Sequence, residues 1–296
     1  MVEIKKIGYN KTKEQKGEPM EILSEAILTN VIKKRPAISH KGTFGRAVLI
    51  GGNKQYGGAI MMSAEACVKS GAGLVTVITQ KDNHAPLHAR LPEVMVVDWE
   101  DEKLIFQVLE SATVILIGPG LGLDEHSLKL LKIVLSLQTK NQWLVIDGSG
   151  ISLFAQEALS LTHPSHTVFT PHQMEWQRLS GIPIEQQNEQ TNATFQQKLQ
   201  ANVIVKSHRT EIYTIKECYH CPLGNPAMAT GGTGDTLAGM VTGFLAQFQN
   251  KSDAICTAVY LHSYIGDLLA EDNYVVLPTT ISAALPHYMQ YFSNKD

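Results

Sequence analysis

The sequence is poor in charge and in aromatic residues: 18% of its 296 residues are Asp, Glu, Lys or Arg, and 7% are Phe, Trp or Tyr. Its net charge is −3, so there is no basic excess of the kind a general nucleic-acid binder carries. A small anionic ligand needs only local positive groups and is not excluded. No apolar run approaches the ~20 residues that span a bilayer, so no membrane contact is expected. The opening MVEIKKIGYNKTKEQKGEPM lacks the apolar core of a secretory signal, which predicts a cytoplasmic protein. Only four cysteines occur. Cys67 and Cys256 fall in apolar helical patterns and read as core. Cys218 and Cys221 form CYHC, but no second pair completes a zinc set, and a surface hairpin is the expected home. Reduced thiols are the default in the cytoplasm.

What is present is an alternation of short apolar runs and longer helical patterns. Residues 1–21 read as a disordered or tag-like lead, and 22–296 as a single domain. The spacing predicts a short helix over 22–35, closed by Pro36. AVLI (47–50) reads as a buried strand, followed by the four-glycine turn GGNKQYGG (51–58). Ile60, Ala64, Cys67 and Val68 then mark one helix face, and LVTVIT (74–79) is the next strand. A strand–helix–strand unit of this length implies a right-handed crossover between parallel strands. The pattern continues with strands at 94–97, 113–118, 143–147, 166–170 and 201–207, and a hairpin partner at 211–215. Helices are predicted over 101–110, 128–137, 173–180, 186–200, 235–249, 252–271 and 279–291. The fold class is therefore α/β, with seven or eight strands in a mostly parallel central sheet and helices on both faces.

In open α/β sheets, ligands bind beyond the carboxyl ends of the strands. The unusual motifs fall there: 51–58, GPGLG (118–122), Asp147, Thr170–His172 and Lys206–Thr210. The densest is NPAMATGGTGDTLAG (225–239), a Gly-rich turn feeding a helix. Such a turn presents free N–H groups and the positive end of the helix dipole, which suits a phosphate or a developing anion. A carboxylate repels phosphate, so Asp235 makes sense there as a base for a hydroxyl, or else as a plain N-cap. Lys206, His208 and Arg209 suit a nucleotide phosphate or form a solvated turn. Glu175 is either functional or a first-turn acid favoured by the dipole, and Asp147 either approaches Mg²⁺ or substrate or caps the next segment. GGNKQYGGA is neither a complete P-loop nor a G-x-G-x-x-G fingerprint.

The ordered set SHKGTFGRAVLIGG, GGAIMMSAEACVKSGAGLVTV, IGPGLG, VIDGSG, TPHQMEW, IVKSHRT and GNPAMATGGTGDTLAGM spans residues 39–240. It resembles the ADP/ATP-dependent NAD(P)H-hydrate dehydratases, a carbohydrate-kinase-related branch of the ribokinase-like fold. The resemblance implies a ribokinase-like three-layer sandwich that phosphorylates the ring hydroxyl of hydrated NADH or NADPH with ADP or ATP. Loss of phosphate then restores the double bond. Carried onto this sequence, it places Ala59, Gly122 and His172 on the hydrated dinucleotide, and Lys206, Ser207, His208, Arg209, Thr210 and Gly234 on the nucleotide. Asp235 becomes both a substrate contact and the base, and Asp147 and Glu175 the candidate Mg²⁺ ligands. It further implies a homo-oligomer, a tetramer among many relatives, and an epimerase on a separate protein. Two departures are visible: Ser207 stands where the family often has Gly, and DGSG differs from the usual segment after Asp147. The competing reading is a kinase of the same fold acting on a vitamin-precursor alcohol.

Overall fold

The computed structural model describes residues 20–295. In chain order the elements are β1 (Glu21–Ile22), α1 (Ala26–Val31), β2 (Arg46–Ile50), α2 (Gly57–Lys69), β3 (Leu74–Thr79), α3 (His84–Arg90) and β4 (Met95–Asp98). Then follow α4 (Glu102–Glu110), β5 (Val114–Ile117), α5 (Glu125–Leu137), β6 (Trp143–Ile146), α6 (Ser149–Gln156), β7 (Thr167–Phe169) and α7 (Gln173–Ser180). The chain ends with α8 (Glu189–Leu199), β8 (Asn202–Val205), β9 (Glu211–Tyr213), β10 (Cys218–His220), α9 (Thr233–Gln247), α10 (Lys251–Ala270) and α11 (Pro278–Ser293).

All ten strands form one sheet in the order β1-β10-β9-β8-β7-β6-β5-β2-β3-β4. From β8 to β4 every pairing is parallel, and only the β8–β9 and β9–β10 pairings are antiparallel. The chain winds from β2 outward to β4, returns to the other side of β2 as β5, and continues to β8. That reversal makes a switch point between β2 and β5, the usual place for a ligand site in such sheets.

The strands alternate their side chains between two apolar layers. Ala47 and Leu49 of β2 join the layer of α1, α2, α9, α10 and α11, while Val48 and Ile50 join that of α4, α5 and α6. Trp176 of α7 and Phe195 of α8 close the sheet over Val203, Val205 and Tyr213. Polar N-caps start several helices: Asp101, Asp124, Asn188 and Asn250 each accept a first-turn N–H. The result is a three-layer sandwich, as expected for the fold class.

Several boundaries differ from expectation. The predicted helix over 22–35 is shorter, because Ile22 pairs into the sheet edge and the chain is already extended at Ile32. The expected lead lies outside the described residues up to 19, but Met20 bonds to Glu189 and Glu21 pairs with Tyr219. β1, β10, α3 and α6 were not foreseen: two are very short strands, and two are helices of seven and eight residues. Cys218 does lie in the β9–β10 hairpin, half-buried, and Cys67, Cys221 and Cys256 are buried free thiols. No helix among the described residues is long and apolar enough to cross a membrane.

Candidate active site

The switch point is built by glycine. Gly52 N–H donates to Pro119 O at 2.9 Å and Asn53 N–H to Gly120 O at 2.7 Å, which laces the β2 loop to the β5 loop. Gly120 has φ +60°, and a Cβ there would stand 2.2 Å from Tyr56 O and 3.1 Å from the Ala59 Cβ. Only a residue without a side chain permits this approach. Ala59, in the first turn of α2, thus lies against Gly120, and Gly122 follows two residues later beside Asn53 and Ser127.

α9 begins at Gly232, whose φ of 98° is left-handed and which has no side chain to cap with. Asp235 is thus the third residue of the helix and not its N-cap, which removes the capping explanation for it. Its carboxyl is mostly buried. Burial foremost, with the charges of Asp147 and Glu175, pushes its pKa up from 3.8 to about 7, against the opposing pull of Lys206.

Lys206 leaves the end of β8 and is held close by the β7 loop: its N–H donates to Pro171 O at 2.8 Å. Its ammonium lies 2.8 Å from Asp147 Oδ1, which also accepts from Thr170 Oγ1 at 2.6 Å. A Cβ on Gly234 would lie 3.1 Å from the same Nζ, so the cation sits on the first turn of α9. Burial works against the Lys206 charge, but Asp147, Glu175 and Asp235 together outweigh it and raise its pKa. The side chain is 19% exposed and that of Asp147 3%. This is a cation set among three carboxylates where a phosphate would meet the helix dipole.

His172 and Glu175 form a capping box at the start of α7: His172 Nδ1 accepts from Met174 N and Glu175 N, and Glu175 Oε2 accepts from His172 N at 2.9 Å. Glu175 is thus the first-turn acid the sequence allowed, and His172 is the N-cap, a part not read from the sequence. Glu175 nonetheless adds negative potential at Asp235 and Lys206.

A cleft of about 510 Å³ opens between these groups and α10, lined among others by His172, Lys206, His208, Thr210, Gly234 and His262. It is large enough for a nucleotide. Ser207 closes the 206–210 turn on itself, its hydroxyl donating to Arg209 O and accepting from Arg209 N. Its place in the family's glycine position therefore needs no left-handed backbone. Arg209 is the one residue of 206–210 absent from the cleft wall. A larger cleft of about 980 Å³ lies at the other end of the sheet, beside the last turns of α2 and α9, and is lined by Lys33, Lys34, Arg35 and Lys69 among others. Arg35 donates to Gly71 O and stacks over Phe44 at 3.8 Å, so it serves a helix end, and Lys69 pairs with Glu65.

For Mg²⁺, the protein alone offers no cage: among the described residues no three His, Cys, Asp or Glu side chains gather at metal-binding range. Asp147 Oδ1 and Glu175 Oε2 are already engaged. Mg²⁺ commonly takes only one or two carboxylates and completes its shell with water and phosphate. Asp147 and Glu175, both nearly fully buried beside the phosphate turn, fit that mode.

Sequence reasoning singled out neither Asp267, His262 nor Ser63. Asp267 accepts from Gly224 N and Asn225 Nδ2, which shapes the loop before α9. His262 is buried with Nε2 unpartnered, and burial with the nearby Lys206 charge drops its pKa to about 4. Ser63 Oγ lies 2.9 Å from Asp235 O. The available signal was a polar residue inside an otherwise apolar helix pattern, and it is weak without the neighbouring helix.

Comparison with known proteins agrees with this arrangement. The model of the NAD(P)H-hydrate dehydratase family matches residues 47–287. The ADP-dependent (S)-NAD(P)H-hydrate dehydratase of Enterococcus faecalis is 60% identical over 274 residues, 93% of this chain and 94% of that protein. A crystal structure of a ribokinase-like superfamily protein from Enterococcus faecalis superposes with a TM-score of 0.92 at 59% identity, covering 93% of this chain and 97% of the other. The ADP/ATP-dependent NAD(P)H-hydrate dehydratase of Bacillus subtilis, co-crystallized with ATP/Mg²⁺, gives a TM-score of 0.80 at 26% identity, covering 92% and 99%. The matched span runs from β2 into α11 and takes in the glycine-laced loops after β2 and β5, the 510 Å³ cleft and Asp235, and on that ground the chain belongs to the NAD(P)H-hydrate dehydratase family.

Proposed function

We propose that the protein is an ADP-dependent lyase that repairs hydrated NADH and NADPH. The observation that carries this reading is Asp235, a mostly buried carboxyl in the first turn of α9 next to Gly234 of the cleft wall, its pKa pushed up to about 7 by burial first. A general base is most effective with a pKa near the working pH. Asp235 takes the proton of the ring hydroxyl, and the freed oxygen attacks the terminal phosphoryl group of ADP, with AMP leaving. The phosphate then departs with its C–O electrons, and loss of the neighbouring C–H proton restores the ring double bond. Lys206 and the N–H groups at the start of α9 stabilise the charge on the transferred group.

In this reading Ala59, Gly122 and His172 contact the hydrated dinucleotide, and Lys206, Ser207, His208, Thr210 and Gly234 hold the nucleotide. Arg209, exposed in the same turn, adds a further positive group for the phosphates. Asp147 and Glu175 would hold Mg²⁺, which would supply charge neutralisation for the nucleotide. The enzyme works in the cytoplasm as a homotetramer. The 60% identical relative bears the dehydratase name, which favours this reading over a kinase for a vitamin-precursor alcohol.

The test is direct. The protein is mixed with hydrated NADPH, Mg²⁺ and ADP, and the near-ultraviolet absorbance of reduced nicotinamide is followed. Recovery with stoichiometric AMP is expected. Consumption of nucleotide only with a thiazole or pyrimidine alcohol would replace this reading with the kinase.

A further inference from the structure

α2 carries Ala59 and α9 carries Asp235, and the two helices touch along a glycine seam. A Cβ on Gly239 would lie 2.1 Å from Ser63 O, and one on Gly243 2.8 Å from Ser70 Cβ. Gly232, at the head of α9, is pressed in the same way against Met62. Packing of this kind brings two helices close, and the directional contacts across it refine their register; there is one at each end of the seam.

At the far end Gln247 Nε2 of α9 donates to Ser70 O, the C-cap of α2, at 2.6 Å. At the site end the contact is Ser63. Its side chain is fully buried, and Oγ lies 2.9 Å from Asp235 O and 3.2 Å from Ala59 O. A serine hydroxyl has one hydrogen, so it is shared between the two carbonyls, with the shorter contact to Asp235. One hydroxyl thus joins the residue placed against the dinucleotide to the residue placed as base.

We propose that Ser63 is a positioning residue that fixes the register of α9 on α2, and so the distance from the bound ring hydroxyl to the Asp235 carboxylate. Rate in such a transfer depends on sub-ångström placement of the base, whereas nucleotide affinity is set in the cleft on the other side of α9. The proposal rests on the dehydratase reading for its kinetic form, but the pin itself is independent of activity.

The experiment compares Ser63→Ala with Gln247→Ala, which removes the other interhelix hydrogen bond. Ser63→Ala is expected to lower kcat about 3- to 10-fold, the worth of one ordinary hydrogen bond, with KM for ADP unchanged. Gln247→Ala is expected to lower Tm with kcat unchanged. In parallel, hydrogen exchange is followed in both variants. Ser63→Ala should speed exchange in 233–239 and Gln247→Ala only in 243–249. Ser63→Cys, which keeps the volume with a weak donor, replaces Ser63→Ala if that variant does not fold. Parent-like kcat for Ser63→Ala in an active parent background would overturn the proposal, as would equal kcat losses in both variants. If the parent has no dehydratase activity, the functional reading fails separately, and unchanged exchange over 233–239 still overturns the pin.

Discussion

Lys206 Nζ and Asp147 Oδ1 lie 2.8 Å apart, and the same ammonium sits on the Gly234 end of α9. Lys206 is therefore more than a phosphate-binding cation: it offsets the carboxylates that raise the pKa of Asp235. Lys206→Met should move the acid limb of the kcat/KM profile for hydrated NADPH upward by about 1 pH unit or more, because an opposite charge has been removed. KM for ADP should rise as well. A pH–rate series on parent and variant checks this. An unshifted limb would mean that Lys206 only binds phosphate.

The charge of Asp235 bears on folding too. Its carboxyl has a higher pKa folded than unfolded, so the native state favours the protonated form. The stability this contributes is complete below about 4 and is lost as pH rises through about 7. Asp235→Asn removes the titration. The variant should then be more stable than the parent at pH 8, and close to it at about pH 4, where the carboxyl is largely protonated in both states. Each pKa unit corresponds to about 1.4 kcal/mol, so even half of the rise predicts a gain of about 2 kcal/mol at the higher pH. Denaturant melts at both pH values measure it, and an equal difference at the two would contradict a raised pKa.

Gly120→Ala tests the switch point. The new methyl would meet Tyr56 O and the Ala59 side chain, and φ +60° is unfavourable for alanine. The β2 and β5 loops must then part. KM for hydrated NADPH should rise about tenfold or more while KM for ADP stays near the parent value, since the cleft is built from other loops. Parallel losses for both substrates would place Gly120 in a shared site.

The order of motifs along the chain already located this site. Glycines at 51–58, 118–122 and 231–234 each announce a close backbone approach, and each strand end was legible from a short apolar run. What stayed hidden was pairwise. TPHQMEW gives no sign that His172 and Glu175 cap one another, since a histidine cap is uncommon. The role of Lys206 depends on Asp147, 59 residues earlier, and on Gly234, neither of which KSHRT reveals. Arg209 matched the basic pattern but occupies the turn tip, off the cleft wall. β1 and β10 escaped because strands of two and three residues have no readable period.

Asp235→Asn decides most directly whether Asp235 is the base. Asparagine keeps the shape at the start of α9, where no side-chain cap is at stake, and loses only the proton affinity. The measurement is kcat at saturating ADP and hydrated NADPH, at pH 8, for parent and variant. A fall of roughly 10²- to 10⁴-fold is predicted, the usual worth of a positioned general base, with ADP affinity equal to or above that of the parent. Turnover within a few-fold of the parent would contradict it.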